Sequence, residues 1–278
     1  MTKSMWFVAV LAVGLALLAG GCGSSEETVQ SISVEDRFAH AKALFDDRDY
    51  LDAVNEFTVI TLQYQGSAHA ADAQFYLGEC RFQREEYLLA SFEYGVVKRN
   101  YPASARVPEA QYKLALSYYM LSPRSSLDPQ YTRRAIDEFQ QFVEYYPTSP
   151  LVPDADEKIK ELTNRLAKKQ YETARLYTKM DYYRAALVYF NDVIDRYHDT
   201  EYAPAAYLDK AELQFSRRHY REARETLDAF SARFPQSVLQ SRADDIRKKV
   251  DRESPPSGQA GGSGAGTTSD HQARNGQP

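Results

Sequence analysis

Cysteine is scarce in this sequence of 278 residues, which contains only Cys22 and Cys80. If Cys22 carries a lipid, as argued below, Cys80 has no partner. We therefore expect no intramolecular disulfide, even in an oxidising compartment. Cys80 sits between Gly78 and Phe82 in a helical apolar pattern, which predicts a small buried core residue rather than a reactive thiol.

Motifs of catalysis and metal binding are also missing. The sequence has no H-E-x-x-H, no paired cysteines, no G-x-S-x-G and no glycine-rich phosphate loop. Its five histidines show no ligand spacing, and each is predicted to be a surface or capping residue: His40, His69, His198, His219 and His271. We therefore predict a protein that is not an enzyme and that holds no metal or cofactor.

Basic charge is not in excess. Lys3 is left out because it lies in the segment that is interpreted below as a cleaved signal. The remaining chain has 33 basic and 39 acidic side chains, a net charge of −6. This balance argues against a nucleic-acid-binding surface and gives no attraction toward anionic lipid. Aromatic residues, by contrast, are abundant: there are 21 tyrosines, and their positions become informative once the chain is aligned with itself.

Residues 1–21 have the three-part form of a secretory signal, with Lys3 followed by an apolar run over 5–18 and small residues up to Cys22. The apolar run is too short for a comfortable membrane span. The ending resembles a lipobox, although Ala19 stands where Leu is usual. It implies a diacylglyceryl group on Cys22. The alternative is an ordinary cleaved signal that happens to end before a cysteine.

A lipid on Cys22 would hold the mature chain to one membrane leaflet, because each buried CH₂ contributes about 0.8 kcal/mol. Residues 22–33 are then a polar tether. The rest of the chain faces an extracytoplasmic compartment. Gly23 follows the cysteine, where inner-membrane lipoproteins often have Asp; this resemblance implies the outer membrane.

An internal repeat is the main organisational signal. Five segments end in an aromatic residue followed three positions later by Ser or Thr, and the steps between the aromatics are 37, 45, 51 and 37 residues. An alanine stands eleven residues before each aromatic, and a large apolar residue stands four after each alanine. The alanines are Ala53, Ala90, Ala135, Ala186 and Ala223. Residues three and four apart share a helical face, so each stripe predicts the second helix of a helical hairpin.

Each first helix carries its own small residue, twelve positions before the alanine in four repeats and twenty in the third. The pattern resembles the tetratricopeptide repeat and predicts an all-α superhelical array of five helix-turn-helix units. Repeats one to three are assigned to residues 34–152, and a long helix, roughly Asp154–Met180, opens repeats four and five within 153–250. Residues 251–278 are predicted to be a disordered tail.

These features together resemble the BamD family, a lipoprotein subunit of the outer-membrane β-barrel assembly machine. The more specific motifs are the long turn with Asp128-Pro129-Gln130 before Arg134-Ala135, and the run from Leu162 to Ala174. The resemblance implies a scaffold whose C-terminal repeats hold a periplasmic domain of the BamA barrel protein. It also implies other Bam lipoproteins as partners, with N-terminal repeats that receive unfolded barrel proteins.

The first helices of such an array line a concave groove. The repeat register places aromatic residues and a few charges there, which would suit an extended peptide that ends in an aromatic residue. The alternative is that these side chains only pack repeat against repeat. The candidate groove residues are Phe38, Lys42, Phe45, Phe75, Glu79, Phe82 and Tyr112.

Two other functions compete with this one. A periplasmic repeat adaptor for peptidoglycan synthesis or cell division shares the aromatic-Pro-x-Ser ends, but usually has an N-terminal coiled coil or a soluble signal. A nutrient-binding lipoprotein with a helical-repeat fold is usually longer and richer in tryptophan. This chain has only Trp6, inside the predicted signal.

Overall fold

The computed structural model describes residues 32–254, and this range is all-helical. Its eleven α-helices follow one another through short turns. They are α1 (Val34–Asp46), α2 (Tyr50–Gln63), α3 (Ala70–Gln83), α4 (Tyr87–Asn100), α5 (Val107–Leu121), α6 (Gln130–Tyr145), α7 (Val152–Lys179), α8 (Tyr183–Arg196), α9 (Ala203–Ser216), α10 (Tyr220–Arg233) and α11 (Gln240–Glu253). The predicted array of helical repeats is thus confirmed, with α1–α10 forming five hairpins.

The chain divides into two compact units between Cys80 and Arg81, inside α3. The first unit contains α1, α2 and most of α3. Its core is built around Ala41, Ala53 and Phe57, all fully buried. Cys80 belongs to the same core, so the prediction of a small buried residue at this position is confirmed.

The second unit contains two hydrophobic clusters, and α7 contributes to both. Leu162 and Leu166, in the middle of α7, pack with α5 and α6. Ala174, one to two turns before its end, packs with α8, α9, α10 and α11. The helix was expected over roughly Asp154–Met180 and runs over Val152–Lys179. The predicted domain boundary between 152 and 153 therefore coincides with the start of α7 and lies inside the second unit.

The predicted helix register agrees with the observed burial. The five alanines of the second helices are all fully buried. The residues four positions further on are buried as well: Phe57, Tyr94, Phe139, Phe190 and Leu227. The small residues predicted in the first helices are also buried: Ala41, Gly78, Ala115, Ala174 and Ala211. Small residues at these crossings let two helices approach closely, which explains the spacing seen in the sequence.

Four hairpin turns contain a non-glycine residue in the left-handed conformation: Arg48, Glu85, Asp181 and Arg218, with φ between 60° and 68°. In the first of these turns, the Arg48 amide donates to the carbonyl of Phe45 at 3.1 Å, and the Asp49 amide donates to that of Leu44 at 2.8 Å. These bonds satisfy carbonyls at the helix end. Because an L-residue in this conformation costs roughly 1–2 kcal/mol, each turn stores some backbone strain.

The aromatic residue that ends each repeat is a helix C-cap, and the Ser or Thr after it closes the turn. At Tyr146, the amide still donates to the carbonyl of Phe142 at 2.9 Å, and the amide of Ser149 donates back to Tyr146 at 3.0 Å. The Ser149 hydroxyl then accepts from the amide of Leu151 at 3.3 Å, at the start of the next helix. All five repeat ends share the bond back to the aromatic carbonyl.

The third hairpin has a longer turn, residues 122–129, and α7 holds it in place. The Arg165 guanidinium donates to the carbonyl and hydroxyl oxygens of Ser122 at 3.1 and 2.8 Å. One turn further along α7, Lys169 donates to the carbonyl of Leu127 at 2.9 Å. Two cations of one helix face therefore satisfy carbonyls that an irregular turn would otherwise leave unpaired.

Helix α11 follows the five hairpins and was not assigned by the repeat pattern. Its Ala243, Ile246 and Val250 are buried against α10 and its neighbours in the second unit. The helix continues to Glu253, whereas a disordered tail was predicted from residue 251. Most of that tail, like the signal, most of the tether and Cys22, lies outside the described residues.

Candidate functional site

Three of the predicted groove residues, Phe38, Lys42 and Phe45, meet in the first unit around a further aromatic residue, Tyr76. The Lys42 ammonium lies 5.0 Å from the centroid of the Tyr76 ring and 5.3 Å from that of Phe45. The Phe45 and Tyr76 rings meet edge to face at 5.2 Å, and Phe38 stacks on His69 at 4.7 Å. We call Phe38, Lys42, Phe45 and Tyr76 the α1–α3 aromatic cluster.

The cluster is also anchored to the core beneath it. Phe38 meets Phe57 edge to face at 5.9 Å, and Tyr76 stacks on Phe57 at 5.7 Å. Lys42 additionally forms an ion pair with Asp46. The Asp46 carboxylate, on the same helix, thus holds the Lys42 ammonium over the faces of two aromatic rings. A cation is favoured there by the ring quadrupoles. The four side chains are half-buried and combine apolar area with one positive charge.

The other four predicted groove residues have different surroundings. Phe75 and Glu79 are buried, at 2% and 8% exposed. In the second unit, Phe82 is half-buried, with the Lys113 ammonium 5.3 Å above its ring and Tyr87 at 5.2 Å. Phe75 and Glu79 can therefore support a surface but do not present one.

Tyr112 is only 8% exposed, and its hydroxyl donates to the carboxylate of Asp154 at the start of α7. Its ring meets those of Phe139 and Phe142 at 5.7 and 5.5 Å. Burial and this hydrogen bond raise the pKa of Tyr112 well above its usual range. Burial alone would raise the pKa of Asp154, but hydrogen bonds from Tyr112 and Lys158 lower it. Tyr112 therefore joins α5 to α7 rather than lining an open groove.

A second candidate surface lies between α7, α9 and α11, where no binding residue was predicted. It is a cleft of about 400 Å³, which we call the α7–α9 cleft. Charged side chains dominate its lining: Arg175, Lys179, Asp209, Glu212 and Arg242. No spacing signal in the sequence marks it, because its charged residues on α7, α9 and α11 lie 30 or more residues apart from one helix to the next.

The carboxylates of this cleft are well partnered. Asp209 accepts from the Tyr171 hydroxyl at 2.7 Å and from Arg242 at 2.6 Å, and the same Arg242 nitrogen donates to Glu212 at 2.8 Å. Burial would lower the pKa of Arg242, but these hydrogen bonds raise it further. Burial together with the Asp209 hydrogen bond raises the pKa of Tyr171 well above its usual range. The network fixes α7, α9 and α11 relative to one another.

Within residues 32–254, no group of histidine, cysteine or acidic side chains is arranged to hold a metal ion. Over the same range, none of the helices is both long and apolar enough to cross a membrane.

A family model described as YfiO, outer membrane lipoprotein, matches residues 31–210, well over half of the chain. The chain belongs to this family. A tetratricopeptide-repeat model also matches residues 205–237, which cover most of α9 and all of α10.

Two curated relatives carry the name outer membrane protein assembly factor BamD. The protein from Rickettsia prowazekii is 27% identical over 236 residues, which cover 84% of this chain and 93% of the relative. The protein from Vibrio cholerae is 32% identical over 80 residues, covering 29% and 33%. Among solved structures, the TPR2AB domain of yeast Sti1 in its pHSP90 complex matches at 15% identity and a TM-score of 0.41. That match covers 78% of this chain and 98% of the Sti1 chain.

Proposed function

We propose that this protein is a non-enzymatic scaffold subunit of the outer-membrane protein assembly machinery, attached to the outer membrane through a lipid on Cys22 and facing the periplasm. The observation that supports this most is the relation to the assembly factor of Rickettsia prowazekii, which extends over 93% of that relative. The array of helical repeats fits the role, because stacked repeats offer extended surfaces for other proteins.

Repeats four and five, roughly residues 167–250, carry the stable contact with a BamA-like barrel protein in this proposal. The shared α7 and the network around Asp209 make this region a firm platform for a folded domain. Other lipoproteins of the machinery are further partners. The resemblance to the family motivates this assignment.

Unfolded barrel proteins engage the first unit in this proposal, at the α1–α3 aromatic cluster. Half-buried rings with one cation above them suit an extended peptide that brings aromatic side chains. The predicted groove keeps Phe38, Lys42 and Phe45 as its contact residues and gains Tyr76.

Site-specific photo-crosslinking in living cells tests both assignments. A photoreactive amino acid replaces Phe45 in one full-length variant and Leu176, exposed near the end of α7, in another. We expect position 176 to form an adduct with the barrel protein and position 45 to form adducts with newly made barrel substrates. Each position serves as the control for the other. Adducts with peptidoglycan-synthesis enzymes at both positions would instead support the adaptor function.

A further inference from the structure

The outer face of α4 carries an uncovered apolar patch. Among the helices within residues 32–254, α4 alone has three large apolar side chains that are exposed: Leu88, Leu89 and Phe92, at 51%, 47% and 59%. Val96, one turn further along, is partly exposed. Neighbouring side chains three and four residues apart share one helix face, so these residues form a contiguous patch. Contiguous apolar patches on a protein surface often mark an interaction site.

The patch has the spacing of a helix-pairing seam. Leu89, Phe92, Val96 and Arg99 follow one another at steps of three, four and three residues, which is the repeat of a coiled-coil seam. They therefore lie in one row along α4. The opposite side of the helix faces the core, where Tyr94 is fully buried. The outward row is suited to contact with one further helix.

The two ends of α4 carry opposite charges. Glu85 is exposed in the turn before the helix, and Lys98 and Arg99 lie in its last turn. The Arg99 guanidinium lies 5.9 Å from the centroid of the Phe92 ring, at the edge of the patch. Lys98 pairs with Glu138 at 3.5 Å, whereas neither Glu85 nor Arg99 has an ion pair among the described residues. These two charges are therefore left for a partner.

The face is complementary to itself when it is turned around. Phe92 stands seven residues from both Glu85 and Arg99. A two-fold axis that passes beside Phe92 therefore brings the Glu85 of each copy next to Arg99 of the other. The same axis lays the apolar row of one helix on that of the other. A self-complementary patch of this kind is what an isologous dimer requires.

We propose that α4 pairs, in antiparallel orientation, with α4 of a second copy of this chain. Leu89 and Phe92 lie at the centre of the contact, and a Glu85–Arg99 pair lies at each edge. Two helices of 14 residues bury less than the roughly 800 Å² per partner of a standard interface, so the association is weak and reversible. The contact goes beyond the proposed function and does not depend on it.

Photo-crosslinking between two differently tagged full-length copies tests the contact in living cells. A photoreactive amino acid replaces Phe92 in one copy. In the matched control it replaces Tyr145, which is 66% exposed on α6 of the same unit. We expect position 92 to link the two tagged copies and position 145 not to link them. The inference is wrong if position 92 links only to a different protein, if it links to nothing, or if position 145 links the two copies equally well.

Charge reversal tests the orientation of the two helices. Glu85→Arg or Arg99→Glu, present in both copies, places like charges opposite each other. Each change should lower the yield of linked copies about fivefold or more, since every substitution acts twice across a two-fold contact. One copy with Glu85→Arg and one with Arg99→Glu should link as the wild type does, because opposite charges then meet again at both edges.

Recovery in the mixed pair also shows that both variants are folded. If the mixed pair links as poorly as each variant does with its own kind, the loss has another cause and the inference is wrong. It is equally wrong if neither single change lowers the yield.

Discussion

The Tyr171 hydroxyl donates a hydrogen bond of 2.7 Å to Asp209, 38 residues further along the chain. The bond joins the first helices of repeats four and five, and Arg242 of α11 binds the other oxygen of the same carboxylate. Three helices therefore share one carboxylate, which makes Tyr171 and Asp209 a test of how the last two repeats are held together.

Removing this bond should destabilise the protein measurably. Tyr171→Phe keeps the ring but leaves a partly buried carboxylate with one donor fewer. We expect a loss of about 1–2 kcal/mol, because hydrogen bonds to charged groups exceed the usual contribution. Urea unfolding followed by circular dichroism measures the loss. Tyr145→Phe, at an exposed tyrosine, is the control and should change stability by less than about 0.5 kcal/mol. Equal midpoints for Tyr171→Phe and wild type would contradict the assignment.

The same tyrosine predicts how stability depends on pH. Burial and Asp209 raise the pKa of Tyr171 above its ordinary value of 10.0. A folded-state pKa above the unfolded one contributes stability that is fully present below about pH 10. That contribution is lost as the pH rises through the raised pKa. The difference in unfolding free energy between wild type and Tyr171→Phe should thus be constant from pH 6 to 9 and shrink above pH 10. A difference that grows above pH 10 would contradict this sign.

The strained hairpin turns offer a stabilising substitution. Arg48 has φ of 68° and is exposed, so Arg48→Gly should raise stability by about 0.5–1 kcal/mol. Asp47, its neighbour, has φ of −77° and gains nothing from glycine, so Asp47→Gly should lower stability. Thermal unfolding of the two variants in parallel measures the contrast. Two variants that shift in the same direction would show that the turn is not strained.

The helix crossing at Ala186 should not accept a large ring. Ala186 is fully buried between α8 and its neighbours, so Ala186→Trp should cost more than the 1–3 kcal/mol typical of overpacking. Val188→Trp places the same ring on the exposed side of α8 and serves as the control. Calorimetry should show a lower and broader transition only for Ala186→Trp. An unchanged transition would mean that the helices can move apart and admit the ring without a loss of stability.

Cys22 is predicted to be the lipidation site, and the lipid is expected to set the location of the protein. Cys22→Ala should give a soluble or unprocessed protein, because the substitution removes the thiol that would carry the acyl chains. Fractionation of cell envelopes and intact-mass analysis measure the two effects. A mature wild-type protein without acyl chains would rule out the anchor.

Most of the fold follows from local spacing. The small residues at the helix crossings, such as Ala53 and Ala186, repeat at fixed distances from the aromatic helix ends, and all are buried. The repeat spacing did not predict helix α11. Its apolar face consists of Ala243, Ile246 and Val250 alone, and most of its other residues are charged or polar. The left-handed residues in the hairpin turns were not predicted either, since these turns contain no glycine that would mark such a conformation.

The candidate binding surfaces were harder to predict from the sequence than the fold. Phe38, Lys42 and Phe45 follow from the register, but their common neighbour Tyr76 comes from another helix. The α7–α9 cleft depends on partners 30 or more residues apart, such as Arg242 with Asp209 and Glu212. Charged side chains are common on every helix of this chain, so local periodicity does not reveal which of them meet.

The most direct test of the account is co-purification of the full-length protein from detergent-solubilised envelopes. A tag at the C-terminus, expression from the native locus and quantitative mass spectrometry would give the stoichiometry of bound proteins. The account predicts the BamA-like barrel protein in near-equal amount. Recovery of peptidoglycan-synthesis or division proteins in place of the barrel protein would contradict it.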